Sequence, residues 1–564
     1  MKRMEFHLGP LAERLHTAVH EAEQAGVAKR IWRKDASLWK ANEASHKQIR
    51  NSLGWLTLPD EMIGVAGELI EFAEMIAARG FRHVMVCGMG GSSLCPEVLA
   101  RTFGRQQGFP ELLVLDSTDP DVIARLRDQI DIDHCLFVIA SKSGTTTEPT
   151  VFYKYWYDEV GQRRSNPGEN FIAITDPGSP LVDTAAELGF QRTFLNQADI
   201  GGRYSALSYF GMVPAALMGI DIRKLLERAK EAAQSCSALM PAASNDALKL
   251  GTILGECANA GRDKLTLAID PQIETLGLWI EQLIAESTGK EGKGILPVNG
   301  EPLGTPDVYG DDRFFISISL GKVSGEPERR LDALAAAGQT VGFTVLNDPY
   351  NLSIEFFVWE FATAVAGWRL GINPFDQPNV QEAKDATKEL LNGFTRRGHL
   401  DPRNTLAADE LITIYGPDDA PQAESVEEVL RNHLATIKPG DYIAFLNYIE
   451  ETPDTDRAFQ ELRTELRDRT SCATTVGYGP RFLHSTGQLH KGGPDTGVFF
   501  QIIANDAVDF AIPGEPYTFT ILKQAQALGD FRALVKRGRR VIGIDLGDKT
   551  VEGLDRLTNI IASD

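Results

Sequence analysis

Between Ser141 and Thr147 the chain sets five hydroxyls, one lysine and one glycine in seven consecutive positions. The apolar run before them, Phe137, Val138, Ile139 and Ala140, predicts a buried strand, and Glu148 opens a predicted helix. A strand-to-helix turn of this composition suits a phosphate. The first turn of a helix has unpaired N–H groups and partial positive charge, and the hydroxyls and the lysine add donors. The competing explanation is an N-capping cluster, since Ser and Thr cap helices without a ligand. Five hydroxyls with a lysine favour an anion site.

Other stretches carry groups of different chemistry. Glu286, in Glu-Ser-Thr-Gly-Lys after an apolar segment, is a carboxylate that could act as a general base. Arg203 follows Gly201 and Gly202, which would bring its planar fork of donors close to an oxyanion or a developing enolate. Gln377 and Lys384 lie seven apart, which is two turns along one face of a helix starting at Pro378. Gly90, Gly91 and Ser92 follow an apolar strand and allow close approach to a small ligand. The sixth position of that turn is Ser93, so the glycine fingerprint of a dinucleotide site fails. His484 and His490 sit in a Gly-, Ser- and Pro-containing loop. Their spacing of six with no third ligand type is poor for zinc, whereas a histidine titrating near neutrality could open a sugar ring. Each of these has a structural alternative when taken alone: a tight turn, a surface arginine, a solvated helix, a polar loop.

The elements that must position these groups are legible as alternating apolar runs and helices. Residues 1–75 read as helical. Residues 76–248 contain strands at His83, Leu112, Leu136 and Phe171, and residues 249–400 contain strands at Leu265, Phe314 and Val341. Residues 401–564 open with a polar linker and return to strands at Tyr442, Cys472, Val498 and Val541. The charge-dense Phe459 to Thr470 segment reads as a solvated helix. Short continuous apolar runs between helices predict parallel sheets covered on both faces, with ligands beyond the carboxyl ends of the strands.

The 564 residues imply several domains, and 43% hydrophobic with 24% charged residues is ordinary for a globular protein. A net charge of −21 argues against nucleic-acid and anionic-membrane partners, so an anionic substrate needs a local basic pocket. Six scattered cysteines without a C-x-x-C pair predict free thiols in a reducing cytosol. The N-terminus has no signal-peptide core. The apolar stretch from Ile354 to Ile372 is broken by Glu355, Glu360 and Arg369, so no membrane span is expected.

Taken together, CGMGGSS, SKSGTTTE, GGRYS, ESTGK and FDQPNVQEAK resemble the glucose-6-phosphate isomerase family in order and approximate spacing, over residues 80 to 390. The likeness is greatest to the isomerase half of bacterial transaldolase/glucose-6-phosphate isomerase fusions. The resemblance implies an α/β protein with two sugar-isomerase (SIS) domains, each a doubly wound parallel sheet in an αβα sandwich, here with an additional C-terminal α/β region. It also implies a cytoplasmic homodimer that needs no cofactor or metal. By resemblance, Ser141, Lys142, Ser143 and Thr146 hold the substrate phosphate, and Gly91 and Ser92 line the sugar. Glu286 shuttles the proton, Arg203 stabilises the enediolate, and Gln377 and Lys384 lie near the phosphate and ring oxygen, with Lys384 assisting ring opening. The family places its ring-opening histidine between the glutamate and the FDQ motif, but no histidine occurs between Glu286 and Lys384. QLHKG, at Gln488 to Gly492, is similar to the family's QLIHQG, so His490 is expected in that role, with His484 second. Alternatives are a dual phosphoglucose/phosphomannose isomerase and a non-catalytic SIS-type sugar-phosphate sensor.

Overall fold

A computed structural model describes residues 4–322 and 325–563. Three sheets organise the chain. It opens with β1 (Met4–His7), which the helical reading of residues 1–75 missed because its alternation of apolar and polar residues spans only four positions. The first sheet is built from β2 (His83–Gly88), β3 (Glu111–Leu115), β4 (Cys135–Ala140), β5 (Phe171–Thr175) and β6 (Arg192–Leu195). It is parallel throughout, in the order β3-β2-β4-β5-β6.

The second sheet contains β7 (Lys264–Ile269), β8 (Leu296–Val298), β9 (Arg313–Leu320) and β10 (Val341–Leu346), in the order β8-β7-β9-β10. β1 adds to its far edge, antiparallel to β10, so the N-terminal segment belongs to this sheet. The third sheet contains β11 (Asn404–Ala408), β12 (Thr413–Gly416), β13 (Tyr442–Tyr448), β14 (Ala473–Tyr478), β15 (Gly497–Ile503) and β16 (Arg540–Asp545). Its order is β11-β12-β16-β15-β13-β14, with β13 to β16 parallel and the other two antiparallel.

The parallel strands of all three sheets follow one winding: the first strand has the second on one side and the third and fourth on the other. β4, β5 and β13 are buried at every position, which is why they read as unbroken apolar runs in the sequence. β6, β8, β11 and β12 are short edge or near-edge strands with no comparable run, and the stretch read as a linker after residue 400 supplies two of them.

The sheets share cores. One apolar cluster joins the first and second sheets through Leu58, Val84, Ile284 and Phe357. The other face of the first sheet is closed in part by Phe519, Leu522 and Leu528 of the C-terminal Phe519–Lys536 helix. The Pro453–Thr470 helix, expected to be solvated, buries Phe459, Leu462, Leu466 and two arginines. Arg463 donates to the carbonyls of Asn299 at 3.1 Å and Thr474 at 2.5 Å, so it links the second sheet's region to the third. Arg313 and Glu301 are fully buried nearby and paired at 2.8 Å. All six cysteines are buried thiols, and no helix among the described residues is long and apolar enough to cross a membrane.

Candidate active site

The carboxyl ends of β2 and β4 are the switch point of the first sheet, and the two turns singled out in the sequence lie there. After β2 the chain makes a short helical turn at Gly90–Ser92. A Cβ on Gly91 would stand 1.9 Å from the Gly202 carbonyl oxygen, so only glycine permits this turn to touch the Gly201–Arg203 turn. After β4 the chain turns through Gly144, at φ +66°, into the Thr147–Gly161 helix. Thr146 precedes this helix but makes no side-chain capping bond. The hydroxyls bond one another instead: Ser141 to Thr146 at 3.3 Å and Ser143 to Thr145 at 2.9 Å. Lys142 pairs with Asp176.

One cavity of about 350 Å³ brings the predicted residues together. Its lining includes Gly91, Ser92, Ser141, Lys142, Ser143 and Thr146 together with Arg203, Glu286, Gln377, Lys384 and His484. The Val380–Arg397 helix carrying Lys384 starts two residues after Pro378, past a turn, but Gln377 and Lys384 still face the same space.

Glu286 lies in the last turn of the Leu276–Thr288 helix, in which every residue except Leu278 is buried. Arg203 Nη1 stands 3.5 Å from Glu286 Oε1. The guanidinium is fixed on its other sides by Ser287 Oγ at 2.6 Å, Gln377 Oε1 at 3.1 Å and the carbonyls of Pro374 and Asp376 at 2.7 and 3.1 Å. Lys290 holds the same Pro374–Asp376 turn through Asp376 Oδ1 at 2.8 Å. Burial, reinforced by the Arg203 charge, pushes the Lys290 ammonium down to about 8. Gln282, one helical turn before Glu286, donates to Glu286 Oε2 at 3.3 Å and to the His484 carbonyl at 2.7 Å.

His484 comes from the loop after β14. Its Nε2 lies 3.5 Å from Glu148 Oε1, and Gln526 Nε2 donates to that same oxygen at 2.7 Å. Burial would raise the Glu148 carboxyl, but the His484 charge, the His484 hydrogen bond and Lys384 outweigh it, and the net shift is downward. Arg481, three residues before His484, reaches Asp116 at 2.9 Å, and Asp116 also accepts from Ser93 at 3.2 Å. These bonds anchor the histidine loop to the first sheet.

His490 does not line the cavity, and the expectation for it is corrected. Its Nδ1 bonds the Tyr442 hydroxyl at 2.9 Å, its ring stacks on Tyr442, and Phe499 meets it edge-on. Burial holds its imidazole well below the ordinary histidine range. In the QLHKG stretch it is Gln488 that reaches the site's frame, bonding the Gly289 carbonyl and the Asn379 side chain at 2.8 Å each.

Residues 71–295 match the family model of phosphoglucose isomerase. The likeness to glucose-6-phosphate isomerases read from the sequence is borne out by relatives of that name. The protein from Heliobacterium modesticaldum is 29% identical over 409 residues, covering 61% of this chain and 88% of its own. That from Staphylococcus saprophyticus is 28% identical over 408 residues, covering 63% and 89%. Among solved structures, a hypothetical protein from Thermus thermophilus superposes with a TM-score of 0.56 at 25% identity, covering 68% of this chain and 99% of its own. A glucose-6-phosphate isomerase from Chlamydia trachomatis, at 20% identity and a TM-score of 0.51, covers 66% and 78% and shares the fold.

Sequence reasoning missed Glu148, Gln282 and Gln526 as parts of the site. Gln282 had a signal, four residues before Glu286 on one helix face. Gln526 had none, because 378 residues separate it from Glu148. Among the described residues, Asp119, Asp121 and Asp506 form a carboxylate trio of metal-binding dimensions. The Lys523 ammonium already pairs with Asp119 and Asp506 there.

Proposed function

We propose that the protein interconverts glucose 6-phosphate and fructose 6-phosphate. The observation that carries this reading is the convergence on one cavity of a hydroxyl-rich cradle, a carboxylate beside a fixed guanidinium, and a histidine backed by a second carboxylate. The phosphate sits in the Ser141, Lys142, Ser143 and Thr146 cradle at the start of the Thr147–Gly161 helix, with Gly91 and Ser92 against the sugar. His484, oriented by Glu148, moves a proton between the ring oxygen and the first hydroxyl to open the ring, and Lys384 assists. Glu286 then takes the proton from C2, giving an enediolate whose negative charge faces Arg203. Returning that proton to C1 completes the ketose. Gln282 keeps the base and the histidine loop in fixed relation. The same resemblance implies a homodimer, of twice the 61.9 kDa chain mass.

A coupled assay for fructose 6-phosphate conversion, run on the wild type and Glu286→Gln, tests the reading. Turnover by the wild type and its loss in the variant are expected, with substrate binding retained. A sugar-phosphate sensor would bind without turnover in either protein.

A further inference from the structure

The third sheet winds as the first does, in the order β14-β13-β15-β16, and so has its own switch point between the carboxyl ends of β13 and β15. Doubly wound sheets bind ligands at that place. The last residues of β13, β15 and β16, namely Tyr448, Ile503 and Asp545, line one cavity of about 340 Å³. A second cavity of about 250 Å³ shares Arg403, Tyr415, Ile503 and Leu528 with it. Neither contains any residue of the cavity that holds Glu286.

Arg403 is the distinctive group. Its guanidinium stands 5.5 Å over the Tyr415 ring. Among the described residues it has no hydrogen bond or ion pair. Burial pulls it below the ordinary arginine range, opposed by Asp545, whose carboxylate is engaged by the Tyr415 hydroxyl at 3.4 Å and the Gly547 N–H at 2.9 Å. Of the other cations lining the two cavities, Arg532 pairs with Asp401 at 2.9 Å and Lys523 with Asp119 and Asp506, while Lys536 lies exposed at the rim. Leu528, Phe531 and Val535, at helical spacing on the Phe519–Lys536 helix, give the second cavity an apolar wall. A planar guanidinium without a hydrogen bond or ion pair, lying over an aromatic ring beside an apolar wall, suits a carboxylate, sulfonate or phosphate attached to a flat body.

We propose that this crevice is a second ligand site, which takes a small anion with a flat apolar body. The anionic group lies on Arg403, and the body lies between Tyr415 and the Leu528, Phe531 and Val535 face. The helix that walls the site also carries Gln526, so an occupant bears on the element that holds Glu148 behind His484.

The aryl sulfonate 8-anilinonaphthalene-1-sulfonate is the probe, titrated into the full chain by fluorescence and calorimetry in excess fructose 6-phosphate. We expect one site per chain. Arg403→Met should weaken it about tenfold or more, the worth of a charged hydrogen bond, and Val535→Trp, which fills the cavity, should abolish it. Both variants should keep the wild-type melting temperature and fructose 6-phosphate turnover. The proposal is overturned if the probe does not bind, if fructose 6-phosphate displaces it, or if folded Arg403→Met and Val535→Trp bind it as the wild type does.

Discussion

His484 Nε2 lies 3.5 Å from Glu148 Oε1, although 336 residues separate them. The carboxylate sits at the start of the helix that follows the Ser141–Thr146 turn, and the imidazole sits on the loop after β14 of the third sheet. The pair therefore ties the loop after β14 to the helix that follows the hydroxyl-rich turn, and residues 401–564 contribute His484 to the cavity lining.

Replacing the two loop histidines separates chemistry from packing. His484→Ala should slow turnover of ring-closed glucose 6-phosphate by about 10²- to 10⁴-fold, the usual worth of a positioned acid–base group. An open-chain aldose phosphate that cannot close the pyranose ring should be turned over nearly as fast as by the wild type. His490→Ala should instead lower stability by about 1–3 kcal/mol, by leaving the buried Tyr442 hydroxyl without its partner. It should affect both substrates equally. Parallel assays and thermal melts decide the matter, and a selective ring-opening defect in His490→Ala would reverse the assignment.

Gln526 links Glu148 to Thr118: its amide donates to the carboxylate at 2.7 Å, and its carbonyl accepts from the Thr118 hydroxyl at 2.6 Å. Gln526→Leu removes a donor that favours the charged carboxylate, so the Glu148 pKa should rise. Activity on ring-closed substrate should then be lost at a higher pH on the acid side, with kcat down about tenfold at its optimum. A pH–rate profile whose acid limb does not move would show that Gln526 only fills space.

The hydroxyl-rich turn at Ser141–Thr147 was legible because all its chemistry lies within seven consecutive residues after one apolar strand. Glu286 and Arg203 were legible as motifs, but their 3.5 Å approach was not, since it depends on how the Leu276–Thr288 helix meets the Gly201–Arg203 turn. His490 was misplaced because local likeness, QLHKG, was weighed above position. The loop buries that ring against Tyr442 and Phe499 and presents His484 to the cavity. The strands β2, β4, β5 and β13 were readable from apolar runs, whereas β1, β8 and β12 are only three or four residues long and are defined by their neighbours.

Glu286→Gln keeps the shape of the base and removes its proton affinity. Its kcat should fall by about 10²- to 10⁴-fold with KM within a few-fold of the wild type. Arg203→Lys should keep a positive charge but lose the fork that bonds Ser287, Gln377 and two carbonyls at once. We expect kcat to fall by about 10²-fold or more, as for removal of an oxyanion donor. Steady-state kinetics with fructose 6-phosphate check both, and an unchanged kcat in Glu286→Gln would remove it as the base.

Glu281 lies one residue before Gln282 on the same helix, and burial pushes its carboxyl from 4.5 up to about 7, against the opposing charges of Arg463 and Arg481. The folded state therefore binds the Glu281 proton more tightly than the unfolded chain does. Between pH 4.5 and 7 the folded protein holds more protons, so stability from this group falls as pH rises through that window. The loss amounts to about 3 kcal/mol at about 1.36 kcal/mol per pH unit. Glu97, also raised by burial to about 7, titrates over the same range, so the wild-type slope alone does not isolate Glu281. The difference between wild type and Glu281→Gln does. Urea unfolding at about pH 5 and about pH 8 should show the variant gaining about 2.5 kcal/mol on the wild type from the lower to the higher pH, because the amide never has to ionise in that buried position. An equal difference at both values would mean that Arg463 and Arg481 keep Glu281 ionised throughout.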